Sequence, residues 1–161
     1  VFSGGEPTLQ AGLVDAMREV RALGFNIGLH TGGMYPQRLA AVLPLVDWVG
    51  MDVKAPFAEY PRITGVAGSG GHALAGLQRV LDSGVKHEIR TTVHPALLSD
   101  TDLAEMARDL AARGVKHYVI QAFRSQGCRD EDLLQSKARD RPLQVVGDNL
   151  APLFEEFSVR A

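Results

Sequence analysis

Three short segments of this chain combine charged side chains with turns or strand ends in a way that could do chemistry. The first is Gly4-Gly5-Glu6-Pro7. Two adjacent glycines let the backbone come close to a ligand, a strand-to-helix turn points unpaired amides and carbonyls at it, and Glu6 adds a negative group suited to an ammonium. The second is Met51-Asp52-Val53-Lys54, where the alternation of a strand puts Asp52 and Lys54 on one face. The third is Glu88-Ile89-Arg90-Thr91-Thr92, which groups Glu88, Arg90 and Thr92 in the same way. Charges on a sheet are costly unless they are paired or used. Plainer uses also fit: Gly-Gly makes an ordinary turn, and Asp52 with Lys54 makes a structural ion pair.

The elements that must position these residues follow a regular rhythm. Leu9, Leu13, Ala16, Met17, Val20 and Leu23 recur at helical spacing and stop at Gly24. Leu74, Leu77, Val80 and Leu81 do the same before Gly84. Leu103, Met106, Ala107 and Leu110 repeat the pattern between Ser99, a helix N-cap, and Gly114. Shorter helices are expected at Pro36–Leu43 and Asp148–Phe154, and Asp130-Glu131-Asp132 reads as a solvated helix start. Strand-like runs follow at Phe25–Leu29, Val46–Val53, Val85–Val93 and Val115–Phe123, while Gly65–Gly71 reads as a flexible loop. Gly-Val-Lys-His occurs at 84–87 and again at 114–117, a period of 30 residues. Helix, glycine, strand at that period predicts a parallel α/β domain. Polar residues on inward faces near several strand C-termini favour a partial (β/α) barrel over an open sheet, with four full strands and a stub.

Composition narrows the function classes. The 161 residues form about one domain, with 17 Lys+Arg against 19 Asp+Glu and a formal charge of −2, which argues against nucleic-acid backbone binding. Leu39–Val46 is apolar but interrupted by Pro44, so no membrane span is expected. The single cysteine, Cys128, excludes an internal disulfide and a multi-thiolate metal site, and suits a reducing, cytoplasmic compartment. Val1-Phe2 running straight into Gly-Gly reads as the end of a strand, so the expectation is a fragment with sequence missing upstream. Trp48 and the phenylalanines are expected in the core. His87 and His117 are expected in surface or packing roles, and His72 and His94 lack partners at metal-ligand spacing.

Phe2-Ser3-Gly4-Gly5-Glu6-Pro7-Thr8-Leu9-Gln10 resembles the Gly-Gly-Glu segment of the radical S-adenosylmethionine (SAM) superfamily. Leu29-His30-Thr31-Gly32-Gly33, Gly50-Met51-Asp52-Val53-Lys54-Ala55-Pro56, Tyr60-Pro61-Arg62-Ile63-Thr64-Gly65, Glu88-Ile89-Arg90-Thr91-Thr92-Val93-His94-Pro95 and Gln121-Ala122-Phe123-Arg124 continue the resemblance in order, to about Gly127. Together they are most similar to the activating enzymes of glycyl radical proteins, in particular the anaerobic ribonucleoside-triphosphate reductase activators.

The resemblance implies roles for individual residues. The backbone of Gly4-Gly5-Glu6 would bind the SAM amino group. Asp52 and Lys54 would reach the carboxylate and ribose region, Arg90 and Thr92 the carboxylate and adenosine, and Arg124 stands where relatives often place a histidine near the cofactor. His30, beside Thr31, fills a slot that several relatives give to an aspartate helping to hold a monovalent cation; histidine is a poor ligand for such an ion, and the chain departs from the pattern there. SAM is zwitterionic at its methionine end, and Glu6, Lys54, Arg90 and Asp52 supply groups that suit it.

The superfamily also implies a [4Fe–4S] cluster held by three cysteines of a Cys-x-x-x-Cys-x-x-Cys loop, which these residues lack, so the loop is expected upstream of Val1. The implied activity is reductive cleavage of SAM to form a glycyl radical on a partner enzyme, with reduced flavodoxin or ferredoxin as electron donor. The 161 residues alone are expected to be inactive and to associate through an unpaired edge. Two alternatives stand beside this reading. One is a small-molecule radical SAM enzyme of the 7-carboxy-7-deazaguanine synthase type. The other is a degenerate, non-catalytic half-barrel.

Overall fold

Local signals set the helix limits. Ser99 caps α5 (Asp100–Ala112) by accepting from the Asp102 amide, while the Asp102 carboxylate accepts from the Ser99 amide, a reciprocal box worth about 1 kcal/mol. Gly84 ends α4 (Ser69–Ser83) in the left-handed conformation, φ 68°, at low cost to a residue without Cβ. The remaining helices are α1 (Leu13–Ala22), α2 (Pro36–Val42), α3 (Tyr60–Thr64), α6 (Glu131–Gln135) and α7 (Leu143–Leu150). Asp130 caps α6, as the sequence predicts.

The computed structural model describes residues 1–136 and 142–160. Five parallel strands lie in sequence order: β1 (Gly28–Thr31), β2 (Trp48–Asp52), β3 (Lys86–Val93), β4 (His117–Ala122) and β5 (Glu156–Arg160). Phe2 adds a stub outside β1, donating to Gly28 O at 2.8 Å and accepting from His30 N at 2.9 Å. Helices alternate with the strands, giving the α/β partial barrel that the sequence predicts.

Three expectations need correction. β5 makes a fifth full strand where four are expected. The last long helix lies at Leu143–Leu150 rather than Asp148–Phe154. Finally, Ser69, Gly70 and Gly71 open α4 instead of continuing a loop, and Gly70 there lies against the Phe57 carbonyl, where a Cβ has no room.

Register sorts the side chains. Leu29, Val49, Met51, Ile89, Tyr118 and Ile120 face the helices and are fully buried with Leu39, Leu77, Leu103 and Leu110. The opposite, inner face carries His30, Asp52, Glu88, Arg90, Thr92, Gln121 and Arg160, aligned by the pairs His30–Gly50, Gly50–Glu88, Asp52–Arg90, Thr92–Gln121 and Gln121–Arg160. Trp48 belongs to this inner face and is half-buried, and Phe25 is 64% exposed, so neither sits in the core as expected. Among the described residues no helix is long and apolar enough to cross a membrane.

Candidate functional site

At the first turn the chain leaves the stub at Ser3 with Gly4 and Gly5 at φ 94° and 56°, a region that residues with a Cβ rarely adopt. Both glycines are exposed and face open space, and among the described residues their backbone groups make no hydrogen bond. The turn is nonetheless fixed at its far end. Glu6 Oε1 accepts from the Thr8 amide (3.2 Å), the Thr8 hydroxyl (2.6 Å) and the Thr31 hydroxyl (2.8 Å), and Oε2 accepts from the Gly32 amide at 2.8 Å. Thr31 in turn accepts from the Gly33 amide at 3.0 Å. Thr31 is therefore a buried tie beneath the turn rather than an open ligand.

Next along the inner face, Arg90 gathers the residues of three strands. Its Nε donates to Asp52 Oδ1 at 2.8 Å and its Nη1 to His30 Nε2 at 3.2 Å. Gly50 makes room for this: a Cβ there would stand 2.7 Å from Trp48, 3.0 Å from His30 and 3.1 Å from Arg90. Burial first, and then the adjacent Arg90 charge, hold the His30 imidazole below its ordinary value. Since arginine only donates, His30 Nε2 is an acceptor and the ring is the neutral Nδ1–H form. Asp52 thus pairs with Arg90, not with Lys54 as the structural reading of the Asp52-Lys54 segment would have it.

Lys54 is exposed, and among the described residues its amine has no partner. Its amide is anchored, donating to the Tyr60 hydroxyl at 2.9 Å; burial pushes the Tyr60 phenol up to about 12, so it stays neutral. Beside Lys54, at the C-terminal ends of β2, β3 and β4, lies a cavity of about 300 Å³ with Asp52, Thr92, His94, Leu98 and Phe123 among its walls. Thr92 accepts from Gln121 Nε2 at 2.8 Å, and Arg124 lies exposed just past the end of β4.

Several residues of this face escape the sequence reading. Arg160 grips the buried Glu88 with two bonds of 2.8 and 2.7 Å, and His117 stands 3.6 Å from the same carboxylate. The polar–apolar alternation of Glu156-Phe157-Ser158-Val159-Arg160 is the signal that could have found β5. His94, read as unremarkable, is buried in the cavity wall, edge-on to Phe123 with ring centroids 4.7 Å apart.

The arrangement therefore offers an open backbone turn, an unpaired ammonium and a part-apolar cavity along one rim of the sheet. These suit a zwitterionic ligand with a flat or apolar remainder. The described residues contain no cluster of three or more metal-ligating side chains.

Comparison with known proteins gives a consistent picture. The profile of the Radical SAM superfamily matches residues 1–110. A Methanocaldococcus jannaschii protein named as a glycyl-radical enzyme activating enzyme is 28% identical over 139 residues, covering 82% of this chain and 57% of the relative. The 7-carboxy-7-deazaguanine synthase of Thermococcus kodakarensis is 41% identical over 59 residues, covering 36% of this chain and 23% of that enzyme. The chain thus spans little more than half of one curated relative and about a quarter of the other. Among solved structures, a domain of the pyruvate-formate lyase-activating enzyme from Bacteroides vulgatus superposes with a TM-score of 0.76 at 16% identity, covering 98% of this chain and 96% of that one. At that identity the likeness concerns the fold.

Proposed function

Because the chain belongs to the radical SAM superfamily, whose cofactors are SAM and a [4Fe–4S] cluster, we propose that its inner-face rim holds SAM within an activating enzyme for a glycyl radical protein. The observation that carries the SAM assignment is the rim itself: the open Gly4-Gly5 turn, the unpaired Lys54 amine and the 300 Å³ cavity lie at the C-terminal ends of parallel strands. In this reading the backbone of Gly4, Gly5 and Glu6 receives the amino group, Lys54 the carboxylate, and Asp52 and Thr92 the ribose at the cavity mouth. Arg90 holds Asp52 in place and lends charge to the carboxylate, and Arg124 stands at the outer rim. His30 braces Arg90 as a neutral acceptor, an arrangement that suits a structural role better than cation binding.

The cluster does not fit these residues, since Cys128 is the one cysteine of the sequence and such clusters require several thiolates. When bound in the whole protein, SAM and the cluster would supply the one-electron chemistry. The chain's own part is to grip both ends of SAM and keep water from the cavity. The relative matched over 82% of the chain supports a glycyl radical enzyme as partner; anaerobic ribonucleoside-triphosphate reductase is the partner we propose, with reduced flavodoxin or ferredoxin as electron donor. The 7-carboxy-7-deazaguanine synthase reading rests on a match over 36% of the chain and is the second choice.

Titration calorimetry with SAM tests the site. Binding by the anaerobically reconstituted whole protein that weakens about tenfold when Lys54 is replaced by alanine supports it, and absence of binding by the whole wild-type protein overturns it. For the activity, incubating the whole protein anaerobically with the reductase should give the electron-spin signal of a glycyl radical. A whole protein that instead forms 7-carboxy-7-deazaguanine would favour the second reading.

A further inference from the structure

The Glu6 carboxylate has about four acceptor sites and meets four protein donors, from Thr8, Thr31 and Gly32. Three of these donors share Oε1 and one takes Oε2, so an ammonium would meet a carboxylate whose acceptor capacity is mostly occupied by the protein. The bonds instead join the two flanks of the turn. Thr8 belongs to the short 3-10 turn Pro7–Leu9, of which Glu6 is the cap, and Thr31 ends β1 with Gly32 directly after it. Thr8 and Thr31 are both 3% exposed, so these ties are shielded from water. The loop beyond β1 is braced from behind as well: Gly33 bonds back to Thr31, and Gly76 of α4 rests directly against Gly33.

We infer that Glu6 is a positioning residue, whose carboxylate locks the Gly4-Gly5 backbone to the end of β1 through Thr31 and Gly32 and does not itself take the SAM ammonium. This rests on the proposed reading that SAM sits on that backbone. It changes the chemistry expected of the segment. The ammonium would meet backbone carbonyls in an oriented turn, and the negative charge beneath would act only through those peptides.

The test separates the two uses of the carboxylate and separates both from the SAM reading. Thr31→Val removes a donor but leaves the carboxylate intact. Thr8→Val removes a different donor from the same oxygen, should Thr31→Val fail to fold. Thr31→Ser keeps the hydroxyl, and Glu6→Gln keeps the size but loses the acceptor for Gly32. Hydrogen exchange of the Thr8 and Gly32 amides, which the carboxylate holds, measured without any ligand, reads the tie directly. Faster exchange is expected in Glu6→Gln, Thr31→Val and Thr8→Val, with wild-type exchange in Thr31→Ser. SAM affinity should fall about tenfold in Thr31→Val and Glu6→Gln, without further loss in the double variant, and return in Thr31→Ser. Unchanged amide exchange in the three disrupting variants would overturn the inference. So would a Thr31→Val protein that binds SAM like the wild type while Glu6→Gln does not, since the carboxylate would then be acting on the ligand. The expected exchange pattern in a chain that binds no SAM would uphold the positioning role and overturn the SAM reading alone.

Discussion

Arg160 of β5 reaches across β4 to clasp Glu88 of β3 through both terminal nitrogens of its guanidinium, a pair 72 residues apart in sequence. Glu88 is nearly fully buried, whereas the Arg160 side chain is about half exposed. Removing the arginine would leave a buried carboxylate with, among the described residues, His117 as its remaining ion-pair partner. Arg160→Ala is expected to cost about 2–3 kcal/mol, below the range for a fully buried pair because water screens Arg160. Urea unfolding measures it, and a cost under about 0.5 kcal/mol would show that β5 is not held this way.

Lys54 and Arg90 should separate binding from stability. Lys54→Ala should weaken SAM binding by at least about 1.5 kcal/mol, roughly tenfold, with an unchanged unfolding midpoint, because the amine holds no partner among the described residues. Arg90→Ala should weaken binding similarly and also destabilise the fold, because Asp52 and His30 lose their shared donor. Calorimetry and urea unfolding of both variants check this. Wild-type affinity in both would mean that these residues do not meet SAM.

The neutral state of His30 predicts a pH dependence of stability. Its folded value lies below the ordinary 6.5, so below that pH the unfolded chain binds more protons than the folded one. Its stabilising contribution is therefore complete above about pH 6.5 and declines as the pH falls towards the folded value. Unfolding free energies measured from pH 5 to 8 should fall on the acid side, and His30→Gln should reduce that slope. An identical slope in the variant would place the titration elsewhere.

Tyr60 offers a test of positioning through the backbone. Tyr60→Phe leaves the Lys54 amide without its acceptor, with an expected stability loss of about 1–2 kcal/mol. SAM affinity should drop several-fold although the phenol does not reach the ligand. Full affinity in a destabilised Tyr60→Phe protein would show that Lys54 needs no such anchor.

Iron–sulfur chemistry gives a further check. Loaded anaerobically with iron and sulfide, the 161-residue chain should acquire no brown cluster absorbance and should release no 5′-deoxyadenosine from SAM with dithionite, since it offers Cys128 alone. Cluster absorbance that survives Cys128→Ser would overturn the requirement for thiolates from elsewhere.

What was legible in the sequence was local. The Ser99 cap, the glycine stops and the alternation through Glu88-Arg90-Thr92 each depend on residues a few positions apart, and each stands where spacing puts it. The partners of those residues were not legible. Asp52 bonds a residue 38 positions away, and Glu6 is satisfied by Thr31 and Gly32, 25 and 26 positions away, so their roles depend on strand order and register. Trp48 shows the same limit: its size suggests the core, but alternation along β2 turns it to the inner face against His30. The short β5 carried a period-two pattern too brief to stand out against the helical rhythm before it.

The seating of α4 has a consequence for tolerance to mutation. A Cβ at Gly76 would strike the Gly33 peptide, and one at Gly70 the Phe57 carbonyl, so even alanine demands that a loop move. Neither glycine belongs to the proposed cofactor rim, yet the loops they abut carry the ties that fix it. A saturation scan scored on function would therefore mark an outer helix as intolerant as the rim itself, and a reader of that map alone would draw the active site one layer too wide.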